Sequence, residues 1–219
     1  MNKHATVMVL VEGETERSFI NEVLAVELGK KMVFLDALSI DGDVKFERVQ
    51  HRIGDFLKQR PDIYVTTFFD YYGVKKWPGV DRVPQNAAPG EIARIVNEAT
   101  RKRVQQLFPE LWTEKRFIPY MAIHEFEALL FSDSDILALE LDIQRNEIDS
   151  IVFESGGPEA INNDPHTAPS KRLIQLTDDQ FSKTTQGIII AEAIGIPKMR
   201  AKCPVFNGWL EQLEALAHA

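Results

Sequence analysis

Between residues 6 and 127, short apolar runs alternate with stretches whose apolar residues recur at helical spacing, and no other feature restricts the fold as much. Residues 6–11 (Thr-Val-Met-Val-Leu-Val) have strand length, are rich in β-branched side chains and stop at Glu12-Gly13, as a buried strand does. Phe19, Ile20, Val23, Leu24 and Leu28 then share one helical face, which Gly29 closes. Residues 32–38 read as a second strand. The stripe Phe46, Val49, Ile53, Phe56, Leu57 predicts a helix over 44–59, with Pro61 just past its end. Residues 63–69 read as a third strand that ends at Asp70, and 71–90 as a long ordered loop rich in Gly, Pro and Trp. Ile92, Ile95, Val96, Ala99, Val104 and Leu107 mark the next helix, and 116–123 a fourth strand running into His124-Glu125-Phe126-Glu127. This order predicts an α/β fold with a mostly parallel central sheet flanked by helices. The remainder is mainly helical, with candidates at 132–141, 157–163, 170–176, 185–194 and 203–217 separated by Gly and Pro. It divides the chain into a core over 1–131 and a C-terminal part over 132–219, packed on or beside that core.

With 219 residues, 44% hydrophobic and 26% charged, the chain can bury a substantial core. It has no apolar run of about 18 residues, so no transmembrane helix and no membrane partner are expected. The N-terminal run has strand length and no small-residue cleavage site, so it reads as a strand and not a signal peptide. One cysteine, Cys203, excludes an internal disulfide and a cysteine-based zinc site. These features place the expected location in the cytoplasm. The net charge of −8 argues against tight autonomous binding of long duplex DNA. It leaves room for acids that bind a cation, which in turn meets phosphate, and for a partner that supplies the grip.

Three of the four predicted strands end in acids: the first at Glu12, the third at Asp70, the fourth at Glu125 and Glu127. Parallel α/β sheets bind ligands outside the carboxyl ends of their strands. If these strands are neighbours, the carboxylates converge, repel one another and call for a cation. All-oxygen ligands suit Mg²⁺ or Mn²⁺, which activates water and stabilises a leaving oxygen in phosphodiester cleavage. Gly13 is expected to let the chain turn sharply into the helix, whose first turn brings Glu16 within reach of the same ion. Glu14 and Glu16 equally suit simple compensation of the helix dipole. Asp70 also fits a turn-starting aspartate. Glu125 and Glu127, two apart, would diverge on a helix, so one of them is expected at the ion. His124 is expected to be a neutral, hydrogen-bonded histidine.

Farther along, Ser170 is a good helix N-cap. Lys171 and Arg172 directly behind it oppose the helix dipole, which points to a bound anion such as phosphate or to ordinary solvated cations. Lys171 can also stabilise charge on a phosphoryl oxygen. Tyr72 and Trp77 in the aromatic loop serve either to stack on bases or to pack the loop on the sheet.

The segment Val9-Leu-Val-Glu-Gly-Glu-Thr-Glu16 resembles the first motif of the Toprim fold, found in topoisomerases, primases and OLD-type nucleases. Three further segments resemble the DUF4276 family over nearly the whole chain. They are Thr67-Phe-Phe-Asp-Tyr-Tyr-Gly73 with Trp77-Pro-Gly79, Ile118-Pro-Tyr-Met-Ala-Ile-His-Glu-Phe-Glu-Ala-Leu-Leu-Phe131, and Thr167-Ala-Pro-Ser-Lys-Arg-Leu173. The resemblance implies metal binding at Glu12, with Glu16 matching a second acid of OLD-type nucleases and Lys171 the candidate for their site lysine. Toprim proteins usually carry Asp-X-Asp at the next strand end; here Asp70 fits the first position and Tyr72 stands at the second, unless Glu125 or Glu127 substitutes. Relatives of this kind resemble the nuclease halves of bacterial anti-phage ATPase–nuclease pairs, which implies nucleic acid (DNA or RNA) and an ABC-type ATPase as partners; self-association into a homo-oligomer stays open. The competing expectations are a degenerate module that docks on the ATPase, favoured by Tyr72, and a small-molecule phosphotransfer enzyme. No Gly-X-X-X-X-Gly-Lys loop is present, so a P-loop nucleotide site is excluded.

Overall fold

A computed structural model describes residues 4–42, 44–74, 76–123, 125–161 and 167–218. Strand β1 (Ala5–Val11) leads into helix α1, which continues through Glu14–Ser18, a π-helical turn at Phe19–Leu24, and Ala25–Gly29. Then come β2 (Val33–Ser39), α2 (Phe46–Gln59), β3 (Tyr64–Asp70), α3 (Pro89–Leu107) and the short α4 (Thr113–Arg116). Two short strands come after it, β4 (Phe117–Ile118) and β5 (Met121–Ala122), and then a buried 3-10 segment, Phe126–Ser132. The chain closes with α5 (Ser134–Leu141), α6 (Arg145–Ser155), α7 (Pro169–Leu176), α8 (Gln186–Ile194), α9 (Ile196–Lys202) and α10 (Pro204–Ala215).

The five strands form one parallel sheet in the order β2-β1-β3-β4, with β5 pairing β3 beyond β4. Alternation along β1 sorts its side chains between two cores. Val7, Val9 and Val11 face one core, which they share with Phe19, Ile20 and Leu24 of α1 and with Ile190, Met199, Phe206 and Trp209 of the C-terminal helices. Leu10 faces the other, with Val49, Ile53 and Leu57 of α2 and Val96 and Val104 of α3. The C-terminal helices therefore cover one sheet face and complete its core. Trp209, 1% exposed, stacks on Tyr120 at 4.4 Å and donates to the Thr66 hydroxyl of β3 at 2.9 Å; truncating a ring buried this way costs about 3–5 kcal/mol.

The fourth strand differs from expectation. The run over 116–123 is broken into β4 and β5 at Pro119-Tyr120, because Pro119 has no N–H for the ladder. Thr67 repairs the gap: its hydroxyl accepts from Tyr120 N–H at 3.0 Å and donates to the Tyr120 carbonyl at 2.8 Å. The pairing then resumes with Asp70 opposite Ala122, so the outermost strand still delivers its downstream acids to the same rim. The helix expected at 157–163 is only the 3-10 turn Pro158–Ala160, with residues 162–166 outside the described residues. Two helices, Arg145–Ser155 and Ile196–Lys202, were not among the predicted ones.

Candidate metal centre

Because β1, β3 and β5 lie side by side, the acids at their C-terminal ends share one rim. Glu12 comes directly after β1 and is half-buried. Gly13 is next with φ −146°, an extended conformation open to any residue, and a Cβ there would meet only Glu16 Oε2 at 3.4 Å. The expectation that the turn into the helix needs the freedom of Gly13 is thus corrected. It is the N-cap of α1, and its N–H donates to Glu16 Oε2 at 3.0 Å, which is the carboxylate half of a capping box. Glu14 pairs outward with Arg17 at 3.2 Å, as an exposed first-turn acid does.

Asp70 closes β3, and its Oδ1 is buried with no hydrogen-bond partner among the described residues. Burial first, then the charges of Glu16, Glu127, Glu12 and Glu125, hold its pKa well above the ordinary carboxylate value. Glu12 is raised for the same reasons, burial and then Glu16, with Lys183 acting in the opposite sense. The five carboxylates therefore sense one another across elements that are far apart in sequence.

Glu125 and Glu127 do not diverge on an α-helix, because the chain there takes an extended residue at Glu125 and then a 3-10 turn. Both reach Lys183, whose Nζ lies 2.8 Å from Glu127 Oε1 and 3.8 Å from Glu125 Oε1. Burial raises the pKa of Glu127, which Lys183 opposes. Burial pulls Lys183 down, but Glu127, Glu125 and Asp70 outweigh it and its pKa is raised. The other oxygen of Glu125 accepts the Ser170 N–H at 2.9 Å, so this carboxylate caps α7 from outside. The anion anticipated at the N-terminus of that helix is the protein's own Glu125.

Lys183 was missed by sequence reasoning. It lies in the loop after α7, where consecutive Asp178 and Asp179 adopt left-handed φ of 47° and 64° and turn the chain back toward the rim. Asp tolerates this conformation better than most residues. The Thr177 hydroxyl takes the Phe181 N–H at 3.0 Å, Phe181 is buried, and Thr184 meets Thr15 of α1 at 3.4 Å between hydroxyl oxygens. Nothing in Phe-Ser-Lys-Thr-Thr distinguishes Lys183 from other loop lysines.

The remaining expected residues are distributed differently. Lys171, expected as the site lysine, is exposed on α7, whereas the lysine seen in contact with the carboxylates is Lys183. Arg172 uses its Nε to hold the Thr167 carbonyl at 2.9 Å, a bond that ties down the start of α7. Ser170 is buried and gives its N–H to Glu125 without capping through its side chain. Trp77, 5% exposed, packs on Phe46 and Phe69 and donates to the Thr100 hydroxyl at 2.7 Å. The indole packs the loop against the sheet, the second of the two roles expected of it. Tyr72, 42% exposed, lies in the 3-10 turn directly after Asp70. His124 lies outside the described residues.

Among the described residues, no group of three or more His, Cys, Asp or Glu side chains stands arranged to hold a metal ion. The hydrogen bonds give the reason: Glu16 is turned to Gly13, Glu125 to Ser170 and Glu127 to Lys183. The donor set is nevertheless all oxygen, and the orphaned Asp70 Oδ1 beside Glu12 fits a hard cation.

The family model described as "Domain of unknown function (DUF4276)" matches residues 11–214. No curated protein matches the chain. Two solved structures of the C-terminal region of the Xanthomonas campestris pv. campestris OLD protein are similar to it. The one phased with iodine has 14% identity, covers 97% of this chain and 95% of its own, and has a TM-score of 0.38. The one phased with mercury has 12% identity, covers 97% and 96%, and has a TM-score of 0.40.

Proposed function

The chain belongs to the DUF4276 family, and we propose that it is a metal-dependent nuclease whose centre is the carboxylate rim at Glu12 and Asp70. The observation that supports this reading is the buried Oδ1 of Asp70, without a hydrogen-bond partner among the described residues and set among four further carboxylates, with Lys183 as the cation that reaches into them. Buried acids this close stay ionised only with more positive charge nearby.

Glu12 and Asp70 would hold Mg²⁺ or Mn²⁺, with Glu16, Glu125 and Glu127 available once they release their present partners. When bound, such an ion lowers the pKa of water and offsets charge on a phosphodiester. Lys183 brings an ammonium to the same rim, where it can neutralise a phosphoryl oxygen; it takes the role first expected of Lys171. The exposed ring of Tyr72 stands where it can contact a nucleotide beside Asp70. Nucleic acid is the proposed substrate, and the cytoplasm the proposed location; among the described residues no helix is long and apolar enough to cross a membrane. The net charge of −8 supports an ABC-type ATPase partner that supplies most of the grip on DNA or RNA, as in anti-phage ATPase–nuclease pairs.

A second reading has a specific observation behind it. Tyr72 replaces the second aspartate, and three of the five acids are engaged by the protein's own donors. That arrangement suits a degenerate module that docks on the ATPase. Cleavage of plasmid DNA and of RNA by the purified chain with Mn²⁺, Mg²⁺ or chelator separates the two. The nuclease reading expects metal-dependent cutting, reduced at least about 100-fold in Glu12→Ala and Asp70→Ala with the fold retained. Undiminished cutting by both variants, or no cutting with any metal even with the ATPase present, overturns it.

A further inference from the structure

Beyond the carboxylate rim, a groove of about 450 Å³ runs between α3 and α10 along the β4–β5 edge of the sheet. Its floor includes Pro119 and Tyr120, and Tyr120 lies two residues before Ala122, the strand partner of Asp70. The groove thus flanks the stretch of chain that leads to the rim. Its wall on α3 carries Arg94 and Arg101 on one face, two turns or about 10 Å apart along the helix. The single wall carboxylate, Glu98, is engaged by Lys102 at 2.7 Å and by Arg94 at 3.7 Å. Arg101 donates to Gln212 of α10 at 3.4 Å, so among the described lining residues two arginines stand against one carboxylate in a chain whose net charge is −8.

Two glycines line it, Gly90 near the start of α3 and Gly208 inside α10. Glycine inside a helix is unfavourable relative to alanine. Neither position has a packing reason for it, since a Cβ on Gly90 or on Gly208 would meet nothing within 4 Å. Neither has a positive φ. What the missing side chains do is leave the groove open and its helix backbones within reach of an occupant. The aromatic floor, Tyr120 at 3% and Trp209 at 1% exposure, offers no free ring for base stacking.

We propose that this groove between α3 and α10 binds the sugar–phosphate backbone of a single nucleic-acid strand, held by Arg94 and Arg101 and admitted by Gly208. It rests on the nuclease reading by giving the strand a path to the rim. Recognition through phosphates with buried rings is tolerant of sequence.

The test uses the full chain, with anisotropy of fluorescein-labelled single-stranded DNA and RNA 20-mers at several salt concentrations in EDTA, so that binding is read without cleavage. Arg94→Glu/Arg101→Glu is expected to weaken binding at least tenfold and to flatten the salt dependence by about 1.4 in log–log slope, the loss of two phosphate contacts. Gly208→Leu is expected to weaken binding similarly, while Gly208→Ala raises the melting temperature without tightening binding. Wild-type affinity in both the double variant and Gly208→Leu overturns the groove, as does a wild-type chain that prefers labelled poly-glutamate to either oligonucleotide. Strand binding through these residues in a chain that cuts nothing with any metal, even with the ATPase present, sinks the nuclease reading and leaves the groove standing. Cutting and binding that survive all three variants do the reverse.

Discussion

Two glutamates cap helices from outside, and they differ in how much of the carboxylate is used. Glu159, 5% exposed, gives one oxygen to the Val205 N–H at 2.9 Å and the other to the Phe206 N–H at 2.8 Å, so it is saturated at the start of α10. Glu125 gives one oxygen to Ser170 N–H and leaves the other facing Lys183 at 3.8 Å. The two carboxylates do the same structural work, but only the one at the strand-end rim keeps an oxygen for another cation. A saturated carboxylate is part of the scaffold; a half-used one is available for chemistry.

The sharpest way to break this comparison is at the saturated end. Glu159→Ala orphans one buried and one part-buried N–H group and should cost about 3 kcal/mol in urea unfolding, with cleavage per folded molecule unchanged. Lys183→Met should cost about 2 kcal/mol; the effect is moderated because the Lys183 side chain is 41% exposed. Adding Glu127→Gln should restore most of that loss, and a double-mutant cycle with no coupling would show that the pair is incidental. Glu125→Gln keeps an oxygen for Ser170 and should cost about 1 kcal/mol, yet abolish any rise in melting temperature caused by Mn²⁺ if the spare oxygen meets the ion.

Asp70 supplies a pH signature. Its folded pKa is raised, so the protonated form is favoured in the native state. Below the unfolded carboxylate pKa this group costs nothing. As pH rises from there through the folded value, its stabilising contribution is lost. Wild type should therefore melt progressively below Asp70→Asn as pH increases, and converge with it near about pH 3.5, just under the usual aspartate pKa; parallel curves across that range would contradict the assigned burial. Lys171→Ala, at an exposed position, should stay within about 0.5 kcal/mol of wild type and retain cleavage.

Much of the fold was legible because its signals are local. Apolar runs such as Val7–Val9–Val11 and the stripe Val49–Ile53–Leu57 carry their own period, and strand ends announce themselves by Glu12 and Asp70. The break at Pro119 was readable in principle from the missing N–H, but its repair by the Thr67 hydroxyl depends on a neighbour more than fifty residues away. The acids of the rim were found because a topology rule connects strand ends. Lys183 was not, since a loop lysine has no period and no spacing, and its place is set by Thr177, Phe181 and two left-handed aspartates. Trp77 was ambiguous because loop composition says nothing of which way an indole faces; Thr100, Phe46 and Phe69 decide that. The bond from Arg172 Nε to the Thr167 carbonyl cannot be seen in the residue order.

The π-helical turn at Phe19–Leu24 sits between the acids of the first helical turn and the end of that helix against the sheet. A wide turn accommodates a surplus residue that an α-helix of the same length would not. Removing one residue there, for instance the exposed Glu22, would let the segment tighten to α-geometry with the turns on either side nearly keeping their bearing, whereas the same deletion in a regular α-helix would rotate one end by about 100° relative to the other. The aim of Glu16 is therefore insulated from chain length at this one spot, where the helix can lose a residue and still point the acid at the same rim.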